Sequence, residues 1–186
     1  MKIKLNELVT FLTGANSSRV KEDFIIYSIN DFDEDIKVSY SYTKNDFEIV
    51  DSKDYFLKKG DVLFSVTRNK VGIVSDINEG KYMISNFVKC CFDKTIIYPW
   101  YFCYLINESD SISSQIRRLQ QGCLVSINRL PINSIGELEI ELIDYDKQRQ
   151  IGEIYRNIIV REKLALQEIE YSKQISLEII KRVDNN

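Results

Sequence analysis

Apolar and polar positions change in short runs over the first 143 residues, then settle into one long helical period to the end of the chain. In residues 4–12 the apolar positions Leu5, Leu8, Val9 and Leu12 fall at helical spacing, which predicts a helix stopped by Gly14. A loop composition, Ala15, Asn16, Ser17 and Ser18, follows it. Residues 24–29 are rich in β-branched and aromatic side chains and predict a strand, and residues 47–50 predict another. Lys59-Gly60-Asp61 reads as a turn opening a strand over 62–66. A polar loop, Thr67, Arg68, Asn69 and Lys70, then leads to a second strand over 71–74. After a turn over 75–80, residues 82–92 alternate as a strand or strand pair. Strands this closely spaced predict a compact β-structure and not a parallel α/β sheet. Residues 98–106 and 112–119 read as helices, the second carrying Ile112, Ile116 and Leu119 on one face and ending at Gly122. Strict alternation over 138–142 predicts a half-buried strand.

From Lys147 onward there is no proline and one glycine, Gly152. Ile151, Ile154, Ile158, Ala165, Ile169, Ile179 and Val183 recur by threes and fours, with Arg161, Ser172 and Ser176 in the gaps. The pattern predicts one amphipathic helix of about 37 residues, about 55 Å long at the α-helical rise. Its stripe is too apolar to stand alone in water. Folding back on the body would cover only part of it, because a body of about 140 residues has a radius of gyration of about 14 Å. An intermolecular coiled coil is the favoured cover, with the polar gaps weakening its heptads. The fold class is therefore α+β. A compact mixed body of short strands and helices spans 1–143, and one long coiled-coil-type helix, 147–184, carries the dimerisation role.

Composition narrows the chemistry. Apolar residues make up 44% of 186, enough for a sizeable core. The strongest apolar runs, such as residues 96–102, fall far short of the roughly 20 residues a membrane span requires. The first seven residues lack a signal-peptide core, so a cytoplasmic protein without membrane contact is expected. Cys90, Cys91, Cys103 and Cys123 have no C-x-x-C spacing and read as buried thiols of a reducing compartment. Histidine is absent, which removes histidine triads and histidine–metal sites. Carboxylate, lysine or cysteine catalysis loses its commonest proton carrier. P-loop, dinucleotide-binding and EF-hand patterns are missing. With only Pro99 and Pro131, the chain cannot hold the Asn/Asp-Pro-Pro-aromatic motif of a methyltransferase. The acidic run 31–35 reads as a solvated loop in preference to a metal site, and Cys90-Cys91 as core thiols in preference to a nucleophile. The expectation is a non-catalytic chain with no cofactor and no metal.

Charge is ambiguous by itself. The net −3 argues against nucleic acid, but its distribution is uneven. Residues 58–94 hold seven basic against four acidic side chains, and residues 111–136 hold three arginines and no acid. A protein touching phosphates along one face has this profile, and so does a plain acidic domain, which composition alone favours.

The order of segments adds what composition lacks. An opening segment ends in Thr13-Gly14, and Leu57 to Ser65 is followed by Val71-Gly72 after a polar loop. Next come Ile84-Ser85-Asn86, an aromatic helix around Tyr101, Phe102, Tyr104 and Leu105, and Gln121-Gly122. Leu138-Glu139-Ile140 and Gln148-Arg149-Gln150-Ile151 lead into the long helix. This series resembles the target-recognition domain plus spacer helix of type I restriction–modification specificity subunits. It departs from them at Ile143-Asp144-Tyr145-Asp146, where that family places prolines. The resemblance implies a domain that reads double-stranded DNA and a helix that acts as a ruler between two such domains. Family members carry two recognition domains and two helices, and one of each is found here. The expectation is thus a half-length subunit that pairs, as a homodimer or with another half, and directs a methyltransferase subunit and through it a restriction subunit to a split target. The competing expectation is a non-catalytic interaction protein that pairs with a full-length specificity subunit and changes or blocks its target.

Three polar groups are the candidate DNA contacts. Ser17, Ser18, Arg19 and Lys21 suit phosphates. In the second group, Thr67, Arg68, Asn69 and Lys70, arginine can read guanine and asparagine adenine, each with two bonds. Gln120, Gln121, Ser126, Asn128 and Arg129 form the third, in the acid-free stretch.

Overall fold

A computed structural model describes residues 2–17, 20, 23–37, 55–121 and 132–184, apart from the side chains of Gln120 and Gln121. In chain order its elements are β1 (Lys2–Lys4), β2 (Thr10–Thr13), α1 (Ile29–Asp35), β3 (Val62–Ser65), β4 (Lys70–Ile73) and β5 (Phe87–Cys91). They continue with α2 (Pro99–Glu108), α3 (Asp110–Gln121), α4 (Ile132–Gly136), β6 (Glu139–Glu141) and α5 (Tyr145–Asp184). The fold is mixed helix and sheet with short strands and a long C-terminal helix, as the sequence pattern requires.

β2, β5, β3 and β4 lie side by side in that order, every pairing antiparallel. Alternate side chains of a strand face opposite sides of its sheet, and here both sides are covered. Val62, Phe64, Val71, Ile73, Val88 and Cys90 enter the larger core with α2 and the start of α5. Leu63, Val74 and Phe87 face a smaller core built on Tyr27, Phe32, Leu57 and Met83. A second sheet pairs β1 with β6, Ile3 opposite Ile140.

Residues 4–12 do not form the expected helix. Leu5–Glu7 is a single 3-10 turn between β1 and β2. Leu5 and Val9 are buried at helical spacing, yet Thr10–Thr13 pairs along β5, with Phe11 opposite Cys90. A tertiary strand partner here outweighs a local period. Residues 24–29 give an isolated bridge between Ile26 and Tyr82 in place of a strand. The acidic run is a helix, not a solvated loop. Ser28 caps α1 by accepting from the Asp31 amide at 3.2 Å, while the Asp31 carboxylate accepts from the Ser28 amide at 2.8 Å. α4 has no counterpart in the sequence reading. The strand expected over 47–50 and the terminating Gly122 lie outside the described residues.

α5 runs for 40 residues, about 60 Å. Its first turns belong to the core of the body. Gln148 is 1% exposed. Its Oε1 accepts from the Tyr98 amide at 3.0 Å, and its Nε2 donates to the carbonyls of Ile143 at 2.9 Å and Ile96 at 3.1 Å. Gly152 lies against α2 so closely that a Cβ there would stand 2.8 Å from the Tyr101 backbone nitrogen. Ile151 is half-buried against the same core, so the exposed stripe begins at Ile154. Ile158, Ala165, Ile169, Ile179 and Val183 are all exposed. Leu164, Leu166, Tyr171, Ile175, Leu177 and Ile180 are exposed as well, which broadens the apolar surface beyond the seam read from the sequence. Among the described residues, no helix is long and apolar enough to cross a membrane.

Candidate nucleic-acid interface

Strand register decides which loops meet. Thr13 pairs with Val88, Ser65 with Phe87, and Ser65 with Lys70. The end of β2, the start of β5, the end of β3 and the start of β4 therefore share one edge of the sheet. The segment after Gly14, the segment 84–86 and the turn 66–69 emerge there together. Short backbone bonds fix them to one another: the Ala15 amide to the Met83 carbonyl at 3.0 Å, Ser85 to Ala15 at 2.8 Å, and Val66 to Asn86 at 3.0 Å. Gly14 is required for this approach, since a Cβ would stand 2.2 Å from the Ile84 carbonyl oxygen.

The turn between β3 and β4 is stiff. The Asn69 amide donates to the Ser65 carbonyl at 2.8 Å, and Asn69 has φ 52°, a left-handed conformation that asparagine tolerates. The buried Ser65 hydroxyl lies 3.2 Å from the Thr67 hydroxyl and accepts from the Arg68 amide at 3.3 Å. Thr67, Arg68 and Lys70 are exposed, as is Ser17 on the neighbouring segment. Ser85 is exposed between these two segments, with Asn86 half-buried beside it. Neither was singled out as a contact by sequence reasoning, although both stand in the Ile84-Ser85-Asn86 motif.

The acidic helix is wired to this edge. Arg68 Nε donates to Asp33 Oδ1 at 3.0 Å, and Arg68 Nη2 bonds Asp33 Oδ2. This hydrogen bonding, with the Asp33 charge, raises the guanidinium pKa further. Lys81 Nζ donates to Asp31 at 2.8 Å. Burial pushes the Asp31 carboxyl up, but the bonds from Lys81 and Ser28 outweigh it and hold it below its ordinary value. Asp35, 1% exposed, accepts from the Tyr27 hydroxyl at 2.7 Å and Asn78 Nδ2 at 2.8 Å. Burial, then Asp35, pushes the Tyr27 phenol well up. The carboxylates of Asp31, Asp33 and Asp35 are thus occupied by the body's own donors.

The edge is also tied to the long helix. Asn107, near the end of α2, accepts from the Val71 amide at 2.8 Å and donates to the Val71 carbonyl at 2.9 Å and the Tyr155 hydroxyl at 3.2 Å. One side chain thereby joins the residue after Lys70 to α5.

Ser18, Arg19, Lys21, Ser126, Asn128 and Arg129 lie outside the described residues. Gln120 and Gln121 close α3, their side chains also undescribed. Arg117 and Arg118 are exposed on that helix, each Nε donating to a carbonyl one turn back. The arrangement offers hydroxyls, amides and cations suited to phosphates and base edges. Cys90, Cys91 and Cys103 are free thiols whose pKa values burial pushes up, the reverse of an activated nucleophile. Among the described residues, no group of three or more cysteine or acidic side chains is arranged to hold a metal ion.

No family model matches the chain, and no curated protein matches it in sequence. Solved structures match it in fold. An HsdS subunit from Thermoanaerobacter tengcongensis superposes with TM-score 0.60 at 17% identity, over 97% of this chain and 47% of that one. The type I restriction-modification S subunit from M. genitalium gives 0.57 at 12% identity, over 94% of this chain and 42% of that one. A chain from a structure of type I R-M system assembly and conformational transition gives 0.56 at 14% identity, over 97% and 43%. This chain has the fold of type I specificity subunits and spans less than half the length of each of these three chains.

Proposed function

We propose that this chain is a sequence-specific DNA-binding specificity subunit that pairs through α5 and directs a partner methyltransferase, with its restriction subunit, to a split target. Residues 1–143 read DNA, and residues 147–184 set the spacing and carry the pairing contacts. The chain itself performs no catalysis. The observation that carries this reading is the combination of two features in one fold: polar segments gathered at one sheet edge, and an exposed apolar helix rooted in the same core. An apolar stripe from Ile154 to Val183 requires a cover in water. A groove of about 720 Å³ where α5 leaves the body, lined by Ile36, Tyr104, Ile154, Ile158 and Leu166 among others, extends that surface.

Fold likeness alone does not assign function, so the test is direct. The full chain is co-expressed with a type I methyltransferase subunit from the same genome, and methylated positions are mapped across genomic DNA. The expected outcome is a stable complex and one methylated split sequence, palindromic where two copies of this chain pair. Failure to bind the methyltransferase, or methylation without sequence preference, overturns the reading. If the chain alters or silences the target of a full-length specificity subunit and specifies none itself, it acts as the interaction protein.

A further inference from the structure

We infer that Asp33 is a specificity-determining residue: it locks the Arg68 guanidinium so that its outer edge reads one guanine of the target. The inference rests on the DNA-reading function proposed above and assigns the contact that function has at this turn.

Arginine has five N–H donors in a planar fork with two edges able to make paired bonds. One edge is formed by Nε and Nη2, the other by Nη1 and the remaining Nη2 hydrogen. Asp33 takes the first, through Nε at 3.0 Å and Nη2. The second edge keeps the two parallel donors that match O6 and N7 of guanine in the major groove. The backbone of the turn is held as well, by Ser65 and the left-handed Asn69, so the plane of the fork is fixed at both ends. Asp33 is itself positioned by α1, whose capping box and Asp35 bonds seat the helix against the body.

Stability is only part of what the pair supplies. The side chains of Arg68 and Asp33 are 49% and 28% exposed, so solvent screens the pair and its folding contribution is modest even with two bonds. A carboxylate on a surface facing phosphates also weakens non-specific binding. Orientation of the arginine is the property that such a group supplies.

This predicts opposite signs for two readouts. The full chain, in its methyltransferase complex, is used to select sequences from a random duplex pool. The wild type enriches guanine at one position that R68A makes indifferent. R68K loses the same preference while keeping its charge, because lysine has no fork. D33N lowers discrimination at that same position about tenfold, the scale of one paired base contact. On a fixed non-target duplex, D33N raises affinity, because a repulsive charge is gone.

Three outcomes overturn the inference: an unchanged D33N profile, a D33N effect at a position other than the one R68A changes, or a parallel loss of specific and non-specific binding with a lower melting temperature. If the wild type enriches no sequence, DNA reading fails and the inference falls with it. If the wild type selects a target and D33N alone is silent, DNA reading stands and only the role of Asp33 is lost.

Discussion

Replacing Gly152 by alanine tests how α5 is seated. In an exposed helix interior this change stabilises by about 1 kcal/mol, because glycine carries the larger backbone entropy. At Gly152 the sign reverses. The new Cβ would stand 2.7 Å from Tyr98 Cδ1 and 2.8 Å from the Tyr101 backbone nitrogen. Neither neighbour yields easily. Tyr98 is held by its hydroxyl bond to Glu153 and by its amide bond to Gln148, and the Tyr101 nitrogen belongs to the first turn of α2. The helices must separate by roughly half an ångström, and overpacking of this kind costs about 1–3 kcal/mol. Two contacts this close put the cost in the upper half of that range, so G152A is expected to lose about 1–2 kcal/mol net. For a chain of this size that lowers the melting temperature by about 2–8 °C. Far-UV circular dichroism melts at matched protein concentration give the readout, since the pairing proposed above would make the midpoint concentration-dependent. An unchanged or raised midpoint would show that α2 and α5 have room to spare, and the close seating described above would be wrong.

Gln148→Leu leaves the Tyr98 amide and the Ile96 and Ile143 carbonyls without their side-chain partner and should cost about 3 kcal/mol; urea midpoints check it, and no shift would refute it. I158D combined with I169D places charges on the exposed stripe and should convert the paired species to monomer in sedimentation equilibrium, with the near-UV spectrum of the body unchanged. A wild-type chain that is already monomeric at micromolar concentration refutes pairing through α5. Asp31 has a folded pKa below its ordinary value, so its contribution is present above the normal carboxylate range and is lost as pH falls through the lowered folded value. Asp31→Asn should flatten the loss of stability in acid, measured as urea midpoints below about pH 4. An acid limb identical to the wild type would contradict the Lys81 and Ser28 contacts.

Elements whose burial pattern is local were legible in the sequence. The turn at Gly60 and the strands either side of Thr67–Asn69 follow from turn chemistry beside β-branched runs, and β3 and β4 stand where these predict. α2, α3 and β6 follow from their periods, and α5 from a stripe sustained over many turns. The segment 4–12 misled, because the helical spacing of Leu5 and Val9 belongs to a single turn that packs both into the larger core, after which Thr10–Thr13 pairs along β5. α1 was hidden because its carboxylates looked solvated. Their donors, Arg68, Lys81, Tyr27 and Asn78, lie up to 50 residues away.

The same division holds at the candidate interface. Composition identified Thr67, Arg68 and Lys70 as donors, and the structure exposes all three. That they share an edge with Ser17 and Ser85 is a consequence of antiparallel register, which brings Thr13, Ser65, Lys70 and Phe87 to one end of the sheet. That Arg68 presents one edge and not the other follows from Asp33, 35 residues earlier. Residue types and periods determine which segments are helix, strand or polar loop, because those preferences act within a few residues. Which loops meet, and which donors arrive already bonded, depends on contacts between distant segments, and only the packed chain decides that.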